Sequence, residues 1–530
     1  MAKKTFTKIL CLALVALMML SCFVACVKDP ETPNDSDDQT KGPEATNDPA
    51  DSGATGGDES STSGEPTDPD GYVLDDLPDN LDFGDKTFTF LAWKDVEHPE
   101  FGVEEDYDSS NITLKALYNR IKTVEERLGV KIAFEYQNGD AGYVDEFADK
   151  VKAAVNGERS YDAIASYSRT TAVCATRGYL YNLNSEDCSY INFDKPWWPS
   201  SLIQETTVKG KLYFASGDIS PNALYMMYTC FVNDKLLDEF HKDMPHPQTL
   251  VESRQWTYDK FIEYCQGVYR DVDGNGEKSA AKEGESDIFG YMTSGIHTDP
   301  WFYGTGALLV EKDSSGNLKV SDKFASEQIK TTLEKLNTLL HETDYGIYTS
   351  DVWHQANFRD EKLLFCIDRA RVSFKVFESN KDLAGSYSIL PCPTYDENTP
   401  YVTIMGNPIT LYGLPVYAKV EGTVEMGAAV LEALASASFR TLTPVIFETL
   451  YKLRYSKDDV SAHMFDIIRG NLSFDIGRIF DKDLGSKQVT FRNALKNNQS
   501  SSWTRDAKLS ASTITNAIKK LQPKLEGNFN

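Results

Sequence analysis

The chain lacks most of what would mark an enzyme, a membrane channel or a nucleic-acid binder. It has no HExxH, no GxSxG and no phosphate loop, and its seven histidines are scattered. No CxxC and no Cys/His spacing suggests a zinc site. A basic surplus is missing too. The 54 Lys and Arg stand against 80 Asp and Glu, a formal charge of −26, which argues against nucleic acid and its demand for a basic face. Beyond Leu20 the apolar stretches read as too short and too interrupted to span a bilayer, which takes about 20 residues. Carboxylate pairs, by contrast, are plentiful, and nothing marks one out as a glycosidase pair. No residue is nominated as catalytic.

What is present begins at the amino terminus. Lys3, Lys4 and Lys8 precede an apolar run, Ile9 to Leu20, that ends in small residues and two cysteines, Cys22 and Cys26. A charged start, a short apolar centre and a small-residue exit make a secretory signal over 1–26. Phe23-Val24-Ala25-Cys26 resembles the lipobox of bacterial lipoproteins, with Phe23 where Leu is usual. That resemblance implies cleavage before Cys26 and a diacylglyceryl group on its thiol; Cys22 is the competing site. Residues 27–80 carry two lysines against sixteen acids, among Pro, Ser, Thr and Gly. With so little to bury, the segment reads as a disordered acidic linker. The expected location is the extracellular face of the cell membrane, lipid-anchored.

The chain has 530 residues, 41% of them hydrophobic, enough for a large core in two lobes. Thr87 to Trp93 alternates and predicts a strand. Asn111 can cap a helix whose Leu114, Leu117, Ile121, Val124 and Leu128 share one face and which Gly129 stops. Val130 to Tyr136 is a second strand. Val144, Phe147, Val151 and Val155 line a second helix, and Tyr161 to Tyr167 is a third strand. This βαβαβ order predicts a parallel sheet covered by helices. Further strands are expected at Leu212–Phe214, Leu224–Val232, Lys362–Ile367 and within Thr403–Ala418. A helix is expected around Ile329–Leu340, and mostly helix from Thr423 onward. Six cysteines outside the signal (Cys174, Cys188, Cys230, Cys265, Cys366 and Cys392) either pair as disulfides or stay as buried thiols. Cys174 and Cys188 are close enough in sequence to close a loop.

Several runs, in order over roughly 85–480, carry a resemblance. They are Tyr161-Asp162-Ala163 followed by Gly178 to Leu183, Gly210-Lys211-Leu212-Tyr213 ahead of Phe231 to Asp234, Trp256 to Phe261, and Ser388 to Glu397. Together they resemble the family 1 extracellular solute-binding lipoproteins of bacterial ABC importers, the carbohydrate-associated class. The resemblance implies an α/β, two-lobe periplasmic-binding-protein-like fold with hinge strands and a long helical C-terminal part. It implies a first lobe over 83–230, a second over 231–390, a return to the first over 391–435, and a C-terminal helical part over 436–530 mainly on the second. It also implies a non-enzymatic, monomeric receptor that hands a carbohydrate, such as an oligosaccharide, to a membrane permease. A secreted glycan-active enzyme and a peptide receptor of the same architecture stay open as alternatives.

Two sets of residues carry chemistry. Asp271, Asp273, Asn275 and Glu277 place oxygens at alternating positions around Gly274 and Gly276, the start of a calcium loop. The twelfth position is Lys282 rather than Glu, so Glu283, Glu285 or Asp287 would have to complete it. Aromatic rings at strand ends are the candidate sugar contacts, since sugars stack their CH faces on them and open α/β sheets bind ligands there. The nominated residues are Trp93 and Tyr167 with Arg169, then Trp301 and Phe302, then Trp353 with Arg369. Arg169, Arg369 and Arg371 leave room for an anionic sugar.

Overall fold

Strand β1, Lys86–Trp93, forms where the alternation predicts it, and runs parallel to β2, Val130–Gln137, along its whole length. The computed structural model describes residues 66–529 apart from 95, 97, 104, 283–285, 384 and 448–458. The export signal, Cys22, Cys26 and most of the acidic linker lie outside these residues. Helix α1, Ile112–Leu128, joins β1 to β2. Asn111 caps it, its side-chain oxygen accepting from the amides of Thr113 and Leu114. Gly129 ends it at φ 57°, the left-handed conformation that favours glycine, and a Cβ there would also push the Asp82 side chain aside. Helix α2, Val144–Ala153, leads to β3, Ala163–Tyr167, on the other side of β1. Helix α3, Ser168–Thr176, follows β3 directly.

A fourth strand completes this sheet from far along the chain. With β4 to β12 lying between, β13, Thr410–Gly413, pairs antiparallel with β3, giving the order β13-β3-β1-β2. The second sheet is built from β4 (Tyr228–Asn233), β5 (Tyr269–Arg270), β6 (Ile288–Thr293), β9 (Gly346–Tyr348), β10 (Leu363–Arg369) and β11 (Tyr387–Leu390). Its path is β11-β4-β10-β6-β5, with β9 also on β6. β10 is parallel to β6 and antiparallel to β4. A small hairpin, β7 (Val310–Lys312) and β8 (Leu318–Val320), and the parallel pair β12 (Thr403–Ile404) with β14 (Leu472–Ser473) finish the strands. Two helix-covered sheets linked by strands that cross between them make the two-lobe α/β fold.

Helix α4, Glu327–Asn337, carries the expected apolar face of Ile329, Leu333 and Leu336. Helix α5, Trp353–Arg359, packs on β10. Helix α6, Val424–Ala437, packs on α1, while α7, Val489–Lys496, packs on α4. Helix α8, Trp503–Leu525, touches both β8 and α3. The C-terminal part thus contacts elements of both lobes.

The structure corrects four readings. Residues 66–80 were placed in the linker by composition. Yet Thr67 bridges Val73, Leu77 joins the core, and buried Asp75 meets Arg127 Nη1 at 2.5 Å. Their ordering depends on a partner that composition does not reveal. Leu212–Phe214 is no strand; only isolated bridges flank it, among them Ala215 to Tyr412. Asn222–Tyr225, ahead of β4, is a helical turn after Pro221. Finally, Val424–Phe447 is one helical stretch long and apolar enough to cross a membrane, but 72% of its apolar window is buried inside the protein. Glu432 lies in its middle, buried, accepting from the Trp198 indole at 2.8 Å. All six described cysteines are buried and free, so Cys174 and Cys188 close no loop.

Candidate functional site

The chain passes between the sheets after β12, and Met405, Gly406, Asn407 and Ile409 of that crossing line a cavity with Ile404 of β12. Ser168 at the end of β3, Tyr303, Met405, Asn407, Phe474 and Arg478 face it. The walls therefore come from the first sheet, from the second lobe and from the C-terminal part. Ser168 Oγ donates to the carbonyl of Asn407 at 2.8 Å, and Arg478 Nε donates to Asn407 Oδ1 at 2.7 Å. One residue of the crossing is thus held from both sides.

Behind Arg478 lies a buried ionic group. Its Nη1 reaches Asp299 Oδ2 at 2.5 Å, and Arg492 grips the same carboxylate with Nε and Nη2, each at 2.6 Å. Burial opposes the charge on Asp299, but the two guanidiniums outweigh it and hold the carboxyl below its usual range. Tyr303 donates to Asp475 Oδ2 at 3.0 Å, and the amides of Leu309 and Gly477 bond the same carboxylate. Together these groups offer a cavity wall of fixed hydrogen-bonding atoms beside the Tyr303 ring.

Trp93 and Tyr167 come together, their ring centroids 5.7 Å apart at the ends of β1 and β3. Trp93 is only 1% exposed and donates from Nε1 to Thr410 Oγ1 at 2.9 Å. Thr410 in turn donates to Glu100, a buried carboxylate that also accepts from Asn222 and Tyr412. Burial pushes Glu100 upward against those hydrogen bonds. Trp93 is therefore locked in a polar network rather than presented to a crevice. Arg169, next to Tyr167, pairs with Asp481 at 3.2 Å.

Trp301 and Phe302 stand apart from that group. Trp301, 1% exposed, sits among Tyr258, Phe261 and Tyr291 and donates to the Tyr291 hydroxyl at 2.9 Å. Phe302 packs on Tyr303, Phe324 and Phe491. Both are core residues here, which corrects their reading as stacking platforms. Their short helix, Asp299–Tyr303, is buried throughout and turns its Asp and Tyr, not its Trp, to the functional groups. Trp353 is half-buried at the start of α5, and Arg369, at the end of β10, has its Nε 3.4 Å from Asp368 Oδ1.

Near Arg369 the second sheet gathers His297, His354 and Asp368. Burial pushes His297 down to about 3, leaving a neutral imidazole. Burial works against the charge of Asp368, yet the His354 hydrogen bond and the Arg369 guanidinium hold it below the usual carboxylate range. Asp299, Asn407, Arg478 and His297 escaped the sequence reading, while Tyr303, His354 and Asp368 stand beside residues it named without being brought together by it. They are separated by long stretches of chain (Arg478 from Asp299 by 179 residues), and no spacing signal joins them.

In the calcium-loop candidate, Asp271 accepts the amides of Gly274 and Gly276, and Asn275 Oδ1 accepts that of Glu277. Asp287 closes the loop, bonding the amides of Val272 and Ser279. One oxygen from each of Asp271, Asp273 and Asp287 lies within 4.8 Å of the others. Glu283 and Glu285 fall outside the described residues.

No protein-family model matches the sequence, and no curated protein is similar to it in sequence. Its fold, however, is shared with solved structures. A solute-binding protein of an ABC transporter from Thermotoga lettingae, bound with α-D-tagatose, superposes with a TM-score of 0.51 at 14% identity, over 82% of this chain and 100% of that one. The GacH receptor of Streptomyces glaucescens, solved unliganded and with acarbose, gives 0.52 at 14% identity, over 82% and 99%. The galacto-N-biose/lacto-N-biose I-binding protein of an ABC transporter from Bifidobacterium longum gives 0.52 at 12% identity, over 83% and 98%. At such identities the likeness shows the fold: the chain has the two-lobe architecture of ABC-transporter solute-binding proteins.

Proposed function

We propose that this protein is a receptor that captures a saccharide between its lobes and delivers it to an ABC importer. The single observation that carries the reading is the shared fold, whose solved representatives hold tagatose, acarbose or lacto-N-biose. The cavity at the crossing segment, about 20 Å³ and so room for one water, would have to widen as the lobes part before Tyr303, Asn407, Ser168 and Arg478 could meet a sugar. Arg169 and Arg369 already face carboxylates, so a neutral saccharide fits better than a uronate. Closing of the lobes would bury the ligand and change the surface offered to the permease. The protein acts as a monomer and without chemistry. A thermal-shift screen over mono-, oligo- and acidic saccharides, followed by calorimetry, is the test. Binding of none of them would end the reading, and release of shorter sugars by the protein alone would favour an enzyme.

The export signal and the acidic stretch after it support anchoring through Cys26 at the outer face of the cell membrane. Intact mass of membrane-extracted protein should show a diacylated N-terminal cysteine. The loop from Asp271 to Asp287 is proposed to hold a structural calcium ion, with carboxylates of Asp271, Asp273 and Asp287 and the Asn275 and Glu277 carbonyls as ligands. All are hard oxygen donors, as that cation prefers.

A further inference from the structure

We propose that His297, His354 and Asp368 form a second metal site, one for a divalent transition-metal ion of the zinc type, buried at the carboxyl ends of β6 and β10. His297 lies in the turn after β6, His354 in the first turn of α5, and Asp368 next to the last residue of β10. The three side chains are 1%, 0% and 0% exposed. One ligand atom from each lies within 4.8 Å of the others. His354 Nε2 is 3.0 Å from Asp368 Oδ2, and His297 Nδ1 is 3.4 Å from Asp368 Oδ1. Tetrahedral bonds of roughly 2.0–2.1 Å give ligand-to-ligand edges of about 3.3 Å. The His297 separation matches such an edge, and the His354 contact, to the other oxygen of Asp368, is a hydrogen bond that a bound cation would replace.

The hydrogen bonding points the same way. His297 Nδ1, the ring nitrogen that faces Asp368, is buried and has no hydrogen-bond partner; His297 Nε2 and His354 Nδ1 also lack one but lie away from Asp368, so a cation here would satisfy only the first. A buried polar atom left so is destabilising. A bound cation would take the lone pair of a neutral imidazole and offset that cost. Asp368 is already steered: Gln355 Nε2 donates to Oδ2 at 2.6 Å and the Arg369 amide to Oδ1 at 2.6 Å. Such outer hydrogen bonds orient a ligating carboxylate. Arg369 Nε, 3.4 Å from Oδ1, competes for the same oxygen. The site therefore selects a metal that takes imidazole nitrogen, as zinc does, over a cation that wants oxygen alone. Among the described residues no fourth His, Cys, Asp or Glu joins the group, so the remaining position falls to water or an anion. The site is independent of the saccharide reading and chemically opposite to the all-oxygen loop at Asp271.

The test is cobalt titration of full-length protein stripped with chelator and kept in excess calcium. Tetrahedral cobalt should produce visible d–d bands that saturate at one equivalent and vanish on adding zinc, and zinc should raise the melting temperature. His297→Gln and His354→Gln should each lose the bands and weaken zinc binding at least tenfold, while Asp273→Ala should keep both. Absence of saturable cobalt bands in the wild type overturns the proposal, and this holds whether or not the variants fold. Bands that persist in both histidine variants overturn it as well.

Discussion

Trp93 shows how a strand-end position can mislead. Its place at the carboxyl end of β1 is where a ligand ring is expected, yet its indole is sealed under Tyr167 and bonded to Thr410. Removing a buried Trp side chain costs about 3–5 kcal/mol. Trp93→Ala should therefore lower stability by that amount in urea melts. Trp93→Phe, which keeps most of the ring and loses the hydrogen bond, should cost about 1 kcal/mol for the bond. A second residue makes a pH prediction. Burial raises Glu432 from the usual 4.5 to about 8, despite the bonds from Trp198 and Asn192. The folded state then holds a proton that the unfolded state has lost. Its contribution to stability is full below the unfolded value and falls as pH rises from 4.5 to about 8, then levels off. Glu432→Gln should remove this slope. Melting temperatures of variant and wild type should diverge in the variant's favour across that window and run parallel above it.

At the scale of elements, what the sequence declared was local. The alternation of β1, the Asn111 cap and the Gly129 stop of α1 each depend on neighbours within a few residues, and each is read directly. Leu212–Phe214 is apolar enough for a strand, but the antiparallel contact beside it, Ala215 to Tyr412, is set by a segment far along the chain. The calcium loop sits between these cases. Its first half is a local motif; its closing carboxylate, Asp287, lies beyond the twelfth position and was one of three candidates. Chelation should lower the melting temperature, and a cation at about 100 times its dissociation constant adds ~2.7 kcal/mol. Asp273→Ala and Asp287→Asn should each abolish that sensitivity. An unchanged melting curve on chelation would leave the loop a plain turn.

For the whole molecule, the strand and helix order of 87–167 made the first sheet legible, and the two-lobe plan came with the resemblance of the motif runs. The cavity was not legible. Its groups gather only through crossings: Asn407 from the hinge side, Arg478 from the C-terminal part, Ser168 from the first lobe. Of the aromatic residues expected at strand ends, Trp301 and Phe302 lie in the core, and the half-buried Trp353 stands at a helix start. Burial of a Trp is decided by which face the neighbours cover, and a single strand-end position does not encode that.

The late arrival of β13 bears on how the protein is made. Thr171 beside β3 and Leu411 of β13 bond across 240 residues. As the chain is made, β3 has an open edge until the β13 segment follows. An unpaired apolar edge is a template for the wrong partner, including a second copy of the same chain. Every residue of Ala163–Tyr167 is buried in the finished fold, so that edge carries no charged side chain to guard it in the meantime. A fragment ending before Thr410 should accumulate as aggregate or in the grip of a chaperone, while the full chain is monodisperse by light scattering. The strand that closes the first sheet thus sets the moment at which that lobe is complete, and until then the nascent protein depends on being held apart from its copies.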